Sequence, residues 1–531
     1  LCDLLDQIAE RWPDKPAICI GARVLSFAGL RDAADRLACG LLALGVEPGE
    51  RIAVWLGNRI EWVALFHAAA RMGAVLVPLS TRFKADEAGF LLAHSGAATL
   101  VVNDRFAGID FLALLDQIAP GLLEKGRSPS LPALVRTVVA SSATVLPCAT
   151  VDLESLCASV PDERLRAELA ARRQRVRPDD PFLIQYTSGT TGRPKGAVLS
   201  QRNFARTGSE VGRAQGLTEN DRFFSPAPYF HVSGTMHAFV APLAQGATVY
   251  SIERYELETV LKTICENRCT AYHGFNFFKD YFARREEFAD RFDLSVLRRA
   301  WTTGTIVDLE RIESLGIIVC SLYGLSETTG CSTLCHVEDD FATRTGSVGH
   351  PLPGVEVRIA SRVPGGPMPL PGEPGEIELR GWNLMTGYHD MPEETAAAFD
   401  PDGWFRTGDL GSIDPQGRLR FLGRIKELIR TGGENFSPLE VENLLRQYPG
   451  VAEACVVAIP DDRLGEVAWA MVQLRAGYRV QADQLIDFCR SRIATYKAPR
   501  HVHFVEAFPM TGNNKIRRVE VRAMARSLAH V

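Results

Sequence analysis

The sequence predicts an α/β protein. A large N-terminal domain of α/β-layered subdomains carries a small β-rich subdomain and is followed by a small α+β C-terminal domain. Three observations predict it. The chain has 531 residues, of which 46% are hydrophobic and 23% charged, which is ordinary globular composition and too long for one core. Strand-like and helix-like periodicities alternate through the first half. The texture then changes twice, to short β-like runs between glycine and proline clusters over residues 346–424, and to a βαβ-like tail after Gly423.

Taken in order, residues 51–57 (RIAVWLG) and 99–104 (TLVVND) read as strands, with a helical pattern over residues 61–72 between them. Residues 63–79 are the most apolar stretch, but His67 and Arg71 interrupt it and it is shorter than a membrane span requires. It reads as a buried helix running into a strand at residues 73–78. Residues 182–188 and 246–251 read as further strands. The Arg-rich run at residues 171–177 reads as a solvated helix ending near Pro178. In the tail, a helix is expected from Pro438, a strand at residues 454–460 and a helix from Gln481. The domain boundary is placed between residues 424 and 425, giving domains 1–424 and 425–531.

A net charge of −5 gives no electrostatic footprint for nucleic acid and no polybasic signal for a membrane. The 12 cysteines are scattered, unlike a secreted disulfide framework, and point to a reducing cytoplasm. Cys331, Cys335 and His336 have the spacing of neither haem attachment nor a paired zinc knuckle, so they read as buried thiols rather than ligands.

The most informative stretch is YTSGTTGRPKGAVLSQRN, residues 186–203, placed after a strand and before a helix. Gly189, Gly192 and Gly196 let backbone N–H groups turn inward, Ser188, Thr190 and Thr191 add hydroxyls, and Lys195 adds a positive charge. This is a workable nest for a polyphosphate, and it is not a Walker A sequence. By composition alone it also reads as a flexible surface loop.

The ordered residues YTSGTTGRPKG resemble the signature loop of the adenylate-forming (AMP-binding) superfamily. Four further runs resemble that family's motifs in order: SLYGLSETTG (residues 321–330), GWFRTGDLG (403–411), GRIKELIRTGGENFSPLEVE (423–442) and FPMTGNNKIRR (508–518). The resemblance spans essentially the whole chain and points to the acyl-CoA synthetase branch. It implies a carboxylic acid activated by ATP to an acyl-adenylate, with the acyl group passed to CoA and AMP and pyrophosphate released.

The resemblance also assigns roles. Lys195 and Thr190 would hold the pyrophosphate portion, and Glu327 with Thr190 would hold Mg²⁺, a hard cation suited to oxygen ligands. Ser188, Gly189, Thr191, Gly192, Thr303, Gly304, Tyr323, Gly324, Asp409 and Arg424 form the implied nucleotide site, with Tyr323 against adenine and Asp409 accepting from the ribose. Lys515 would bridge carboxylate and α-phosphate during adenylation. Taken alone, Glu327 also reads as a surface acid, Tyr323 as a core tyrosine, Asp409 as a turn residue and Lys515 as part of a solvated basic tail. Asn513 and Asn514 stand where the family commonly has Thr-Gly before this lysine, and Asn tolerates the left-handed backbone such a turn needs.

Two half-reactions require two placements of the C-terminal domain, which is therefore expected to be mobile, with a hinge at Lys426 and with Gly432, Gly433 and Glu434 on the thiol side. The acyl pocket is expected from His231, Thr235, Met236, Phe275, Phe277, Phe278, Thr305 and Leu325. Its aromatic lining suits a hydrophobic or aryl acid, although the same phenylalanines also read as ordinary core. His231 stands where amino-acid-activating relatives commonly have Asp, arguing against an α-amino acid, and it reads equally as a gate or as packing. Residues 302–305 (TTGT) depart from the usual Gly-Gly-Ala, and the segment from Gly304 to Tyr323 is shorter than usual. The expected partners are a small carboxylic acid and CoA, without nucleic acid or a membrane span, and a homodimer is left open. The alternatives are a stand-alone enzyme that loads an acyl carrier protein, and a silent nucleotide or acyl-CoA sensor.

Overall fold

The computed structural model describes residues 1–141, 146–187, 194–274, 277–302, 306–362, 366–431, 434–511 and 515–529. Two large sheets dominate it. An eight-stranded sheet contains the strands Arg51–Trp55, Val75–Pro78, Thr99–Asn103 and Pro181–Thr187. A seven-stranded sheet contains Pro16–Ile20, Arg222–Phe224, Thr248–Ser251, Ala271–His273, Arg299–Trp301 and Ile318–Cys320. Parallel pairing dominates both sheets, as the alternation of strands and helices predicts.

The helix Ile60–Met72 lies in the principal core and is buried along its whole length. This explains the unbroken apolar run without any membrane span: its neighbours are aromatic rings, with Trp62 and Phe66 both packed on Phe239. Arg71 is buried there too, and Asp6 and Asp35 pair with it. Among the described residues, no helix is long and apolar enough to cross a membrane. The arginine-rich helix Glu163–Arg175 is largely exposed, with only Leu169 buried, and ends where the sequence predicts.

The β-rich segment forms a four-stranded antiparallel sheet of Val355–Ala360, Gly375–Gly381, Phe405–Ile413 and Leu419–Arg424. Immediately after it comes a short 3₁₀ turn, Ile425–Glu427, carrying the exposed Lys426. From Ile429 onward the strands belong to a different, five-stranded sheet, packed by the helices Pro438–Arg446, Ala482–Arg490 and Arg518–Ala529. The two ends of the chain meet through few contacts. One is an ion pair between Lys279, on the helix Phe277–Ala283, and Glu453 at 3.2 Å.

Cys331 and Cys335 are buried, with their thiols against the carbonyls of Thr333 and Ser347. Burial pushes the Cys335 thiol up, and Cys331 is raised for the same reason, so both behave as inert core thiols.

Candidate active site

The expected phosphate loop closes a hairpin. Pro181–Thr187 pairs antiparallel with Lys195–Ser200, the pair Thr187↔Lys195 facing each other at the loop's base. Ser188, Gly189, Thr190, Thr191 and Gly192 lie outside the described residues. The structure differs from the strand–loop–helix reading in one respect: a second strand intervenes, and the helix Gln201–Ala214 starts only after it, capped by Ser200. The reason lies in the residues after Lys195, where the run Gly-Ala-Val-Leu-Ser pairs on both edges, with residues 181–187 on one side and Gly387–Tyr388 on the other. The N-terminus of that helix is thus separated from the loop by the whole strand Lys195–Ser200.

The pairing with Gly387–Tyr388 brings in a residue that the sequence reading missed. The Lys195 ammonium lies 5.0 Å from the centre of the Tyr388 ring. The Tyr388 hydroxyl donates to Glu327 Oε1 at 3.0 Å. Burial, and then the Glu327 charge, push the Tyr388 phenol up, so it stays a donor. Glu327 sits on the 3₁₀ turn Ser326–Thr328, fixed by a hydrogen bond from the Met385 N–H to its own carbonyl (2.7 Å). One tyrosine thus spans the expected phosphate lysine and the expected metal carboxylate. The only local signal was the dipeptide Gly387-Tyr388 between stronger motifs.

The Tyr-Gly pair explains itself sterically. A Cβ on Gly324 would stand 2.4 Å from the backbone of Gly330, so the chain doubles back against itself only with glycine there. That fold-back fixes Tyr323, which stacks on Phe421 at 5.8 Å and donates its hydroxyl to Asp409 Oδ2 at 2.8 Å. Asp409 and Arg424 are register partners on adjacent strands, and Arg424 Nε stands 3.0 Å from Asp409 Oδ1. The N–H is not aimed along that line, so Oδ1 is ion-paired and buried without a hydrogen bond. Burial raises the Asp409 carboxyl, against the pull of Arg424 and Tyr323. The result is a carboxylate with one oxygen spent and one able to accept a hydroxyl.

Lys515 comes to this corner from the C-terminal domain. Its turn is closed by the Thr511 N–H donating to the Lys515 carbonyl (2.7 Å) and the Lys515 N–H to Thr511 Oγ1 (3.0 Å). Asn513 and Asn514, where the sequence reading expects a left-handed turn, lie outside the described residues. The residue is exposed, yet its ammonium is partly desolvated by nearby protein. That desolvation lowers its pKa, with Arg424 acting in the same direction and Asp409 opposing.

His231, on which the Lys515 charge acts, caps the short helix Val232–Thr235 by accepting from the Ser233 N–H at 3.2 Å. Burial, then the Lys515 charge, lower its pKa to about 3. Thr235 spends its hydroxyl on the carbonyls of Tyr229 (2.8 Å) and His231 (3.3 Å). Met236 packs in the principal core. Phe277 and Phe278 pack on Tyr272 at 5.0 and 5.3 Å, and Leu325 is half-buried beside Tyr323. Phe275, Thr303, Gly304, Thr305, Gly432 and Gly433 lie outside the described residues. Glu434 is exposed at the start of the strand Glu434–Phe436, which forms a hairpin with Ile429–Thr431.

A family profile described as AMP-binding enzyme matches residues 5–389, and one described as AMP-binding enzyme C-terminal domain matches residues 440–515. The chain belongs to the AMP-binding enzyme family. This AMP-binding enzyme is 36% identical over 530 residues to a methyl-dioxo-octahydroindenyl-propanoyl:CoA ligase of Mycobacterium tuberculosis, covering 98% of each chain. Its fold matches an anthranilate CoA ligase, AuaEII, in complex with anthranoyl-AMP, with a TM-score of 0.87, 25% identity and coverage of 100% of this chain and 98% of that one. It also matches the o-succinylbenzoate CoA synthetase of Bacillus subtilis in complex with ATP and magnesium ion, with a TM-score of 0.79, 29% identity and coverage of 97% and 98%.

Proposed function

We propose that this AMP-binding enzyme couples a hydrophobic, ring-sized or medium-sized carboxylic acid to CoA, with the sequence-assigned residues in the roles set out below. The chain is an AMP-forming acid–thiol ligase that works through an acyl-adenylate. The observation that carries the residue assignment is the Tyr323–Asp409–Arg424 cluster, held at 2.8 and 3.0 Å, with Lys515 near enough for the charges of Arg424 and Asp409 to act on it.

Attack of a carboxylate on the α-phosphate of ATP brings two anions together, and pyrophosphate leaves. Lys515 would supply the ammonium that relieves their repulsion, a contribution of about 3–4 kcal/mol for one preorganised donor. Asp409 Oδ1 has the acceptor capacity for a ribose hydroxyl, and Tyr323 and Arg424 hold that carboxylate in place. Lys195 and the loop before it receive the β- and γ-phosphates. Glu327, its carboxylate oriented by Tyr388, is the acidic oxygen donor suited to Mg²⁺. The ion would supply charge neutralisation on the phosphate oxygens.

The acyl group then passes to a thiol, with AMP as leaving group. Lys515 occupies the route to the carbonyl, so the C-terminal domain, taken as residues 425–531, has to swing away about the turn that holds Lys426. Glu434 and its hairpin would then face the incoming CoA. The acids named for the three relatives above are ring-bearing, another relative is named a medium-chain acyl-CoA ligase, and the aromatic side chains around Tyr272 support a hydrophobic acid of either kind here.

The test is carboxylate-dependent pyrophosphate release across fatty, aryl and amino acids, with CoA or a phosphopantetheinylated carrier protein as acceptor. Release with ring-bearing or medium-chain acids, with AMP and acyl-CoA as products, is expected. Thioester on the carrier alone, or release with amino acids only, would contradict the proposal.

A further inference from the structure

Near Lys515 the chain holds three histidines that the adenylation chemistry leaves unused, His237 and His273 buried and His231 half-buried. His231 caps its helix. His273 ends the strand Ala271–His273, with its ring nitrogens 3.3 Å from Ser225 Oγ and 3.2 Å from Ser233 Oγ. His237 lies on the π-helical turn Met236–Val240, its ring 5.1 Å from that of His273. Such turns recur at functional sites because the added residue re-aims side chains. Burial keeps all three rings neutral, lowering His237 to about 4 and His273 well below its ordinary value.

His237 is the one with capacity to spare. Its Nε2 lies 3.2 Å from the Gly330 carbonyl oxygen. A carbonyl only accepts, so Nε2 carries the proton, and in a neutral ring Nδ1 then presents a lone pair. That nitrogen is buried without a partner among the described residues, in a side chain only 2% exposed. A buried acceptor left this way is unfavourable, so it calls for a donor.

Gly330 ties His237 to the turn that follows Tyr323: its carbonyl accepts from His237 Nε2, and its backbone packs closely against Gly324. Lys515 acts on His231, His231 and His273 each feel His237, and Gly330 follows the turn that carries Glu327. An acid whose carboxylate sits at Lys515 and whose body runs past His231 therefore ends near His237.

We propose that His237 Nδ1 is the polar end of the acyl pocket and accepts a hydrogen bond from a hydroxyl carried by the acid, away from its carboxylate. The substrate class is then a hydroxylated ring or medium-chain acid. A ketone, which cannot donate, would leave Nδ1 unpaired. The inference rests on the acyl-CoA ligase reading above and narrows it.

The test compares matched acids with and without the hydroxyl: phenylpropanoate and hydroxyphenylpropanoate, octanoate and its terminal hydroxy acid, and cyclohexanecarboxylate with its ring alcohols. A site built around a hydrogen bond discriminates strongly against the analogue that lacks it, so kcat/KM for pyrophosphate release should favour the hydroxy member of at least one pair by about tenfold or more. His237→Leu should lower kcat/KM for that hydroxy acid and close the gap within the pair, a ratio that a merely structural role would not move. The wild-type comparison needs no variant. Calorimetric binding of paired hydroxy- and deoxyacyl-sulfamoyl adenosines to the wild-type chain gives a second measure. Equal use and equal binding within every pair, or a preference that survives in folded His237→Leu, would overturn the assignment of His237 alone. Failure to release pyrophosphate with any acid would overturn the ligase reading and this inference with it.

Discussion

The nucleotide corner and the acyl wall both face Lys515, yet they are built in opposite ways. In the corner, Tyr323, Asp409 and Arg424 come from a tight fold-back and two paired strands, and every contact is direct: 2.8 Å from phenol to carboxylate, 3.0 Å from guanidinium to carboxylate. Charge is buried there and paired. On the acyl wall, His231, His237 and His273 come from a short helix, a π-turn and the end of a strand, and burial has made them neutral. A common nucleotide can be met by a fixed charged frame. A particular acid is better met by neutral groups, whose hydrogen bonds discriminate without the desolvation penalty of an ion.

The largest expected effect lies where the two regions join. Lys515→Ala should lower acid-dependent pyrophosphate release by about 10²–10³-fold while sparing thioester formation from supplied acyl-adenylate. Equal loss of both half-reactions in a folded variant would separate Lys515 from the corner. Next, Asp409→Asn keeps the shape but removes the charge facing Arg424. The KM for ATP should rise about tenfold, on the scale of a charged hydrogen bond, with the order of preference among acids unchanged. A changed acid preference would mean that the two regions are not independent.

Tyr388→Phe removes one hydroxyl from Glu327. The magnesium concentration for half-maximal activity is expected to rise about tenfold or more, at the scale of about 1.5–3 kcal/mol for a bond to a charged group. An unchanged magnesium titration would reduce Tyr388 to packing. The smallest effect concerns pH. Lys515 acts as its ammonium, and its pKa is lowered first by desolvation and then by Arg424. Adenylation should therefore fall off on the alkaline side at a pH below the ordinary lysine range. Arg424→Gln removes a like charge, raises the Lys515 pKa and should move that limb to higher pH. A limb that stays in place would mean that Arg424 does not act on Lys515.

The same contrast governs what could be read from the sequence. Strand and helix periodicity carried the two α/β layers, the β-rich subdomain and the C-terminal elements, because each has one buried face or, as in Ile60–Met72, no exposed one. Tyr323, Asp409 and Arg424 stood out because the glycines beside them meet backbone demands that leave a fixed residue pattern: Gly324 folds back on Gly330, and Gly408 and Gly423 adopt positive φ. Tyr388 escaped because its role depends on a strand pairing, residues 197–198 with 387–388, that no local pattern encodes. His237 and His273 escaped for a similar reason: they are far apart in the chain and meet only through tertiary packing. The strand after the phosphate loop was missed because six residues with a glycine and a lysine at one end carry little periodicity.

The central claim is an acyl-adenylate formed under Lys515 and then transferred to a thiol. The most direct test is a single turnover with ATP, magnesium and an accepted acid in the absence of CoA, quenched and analysed by mass spectrometry, then chased with CoA. The account predicts acyl-AMP and pyrophosphate before the chase, and acyl-CoA with AMP after it. ADP with acyl-phosphate, or acyl-CoA formed without a prior adenylate, would contradict it.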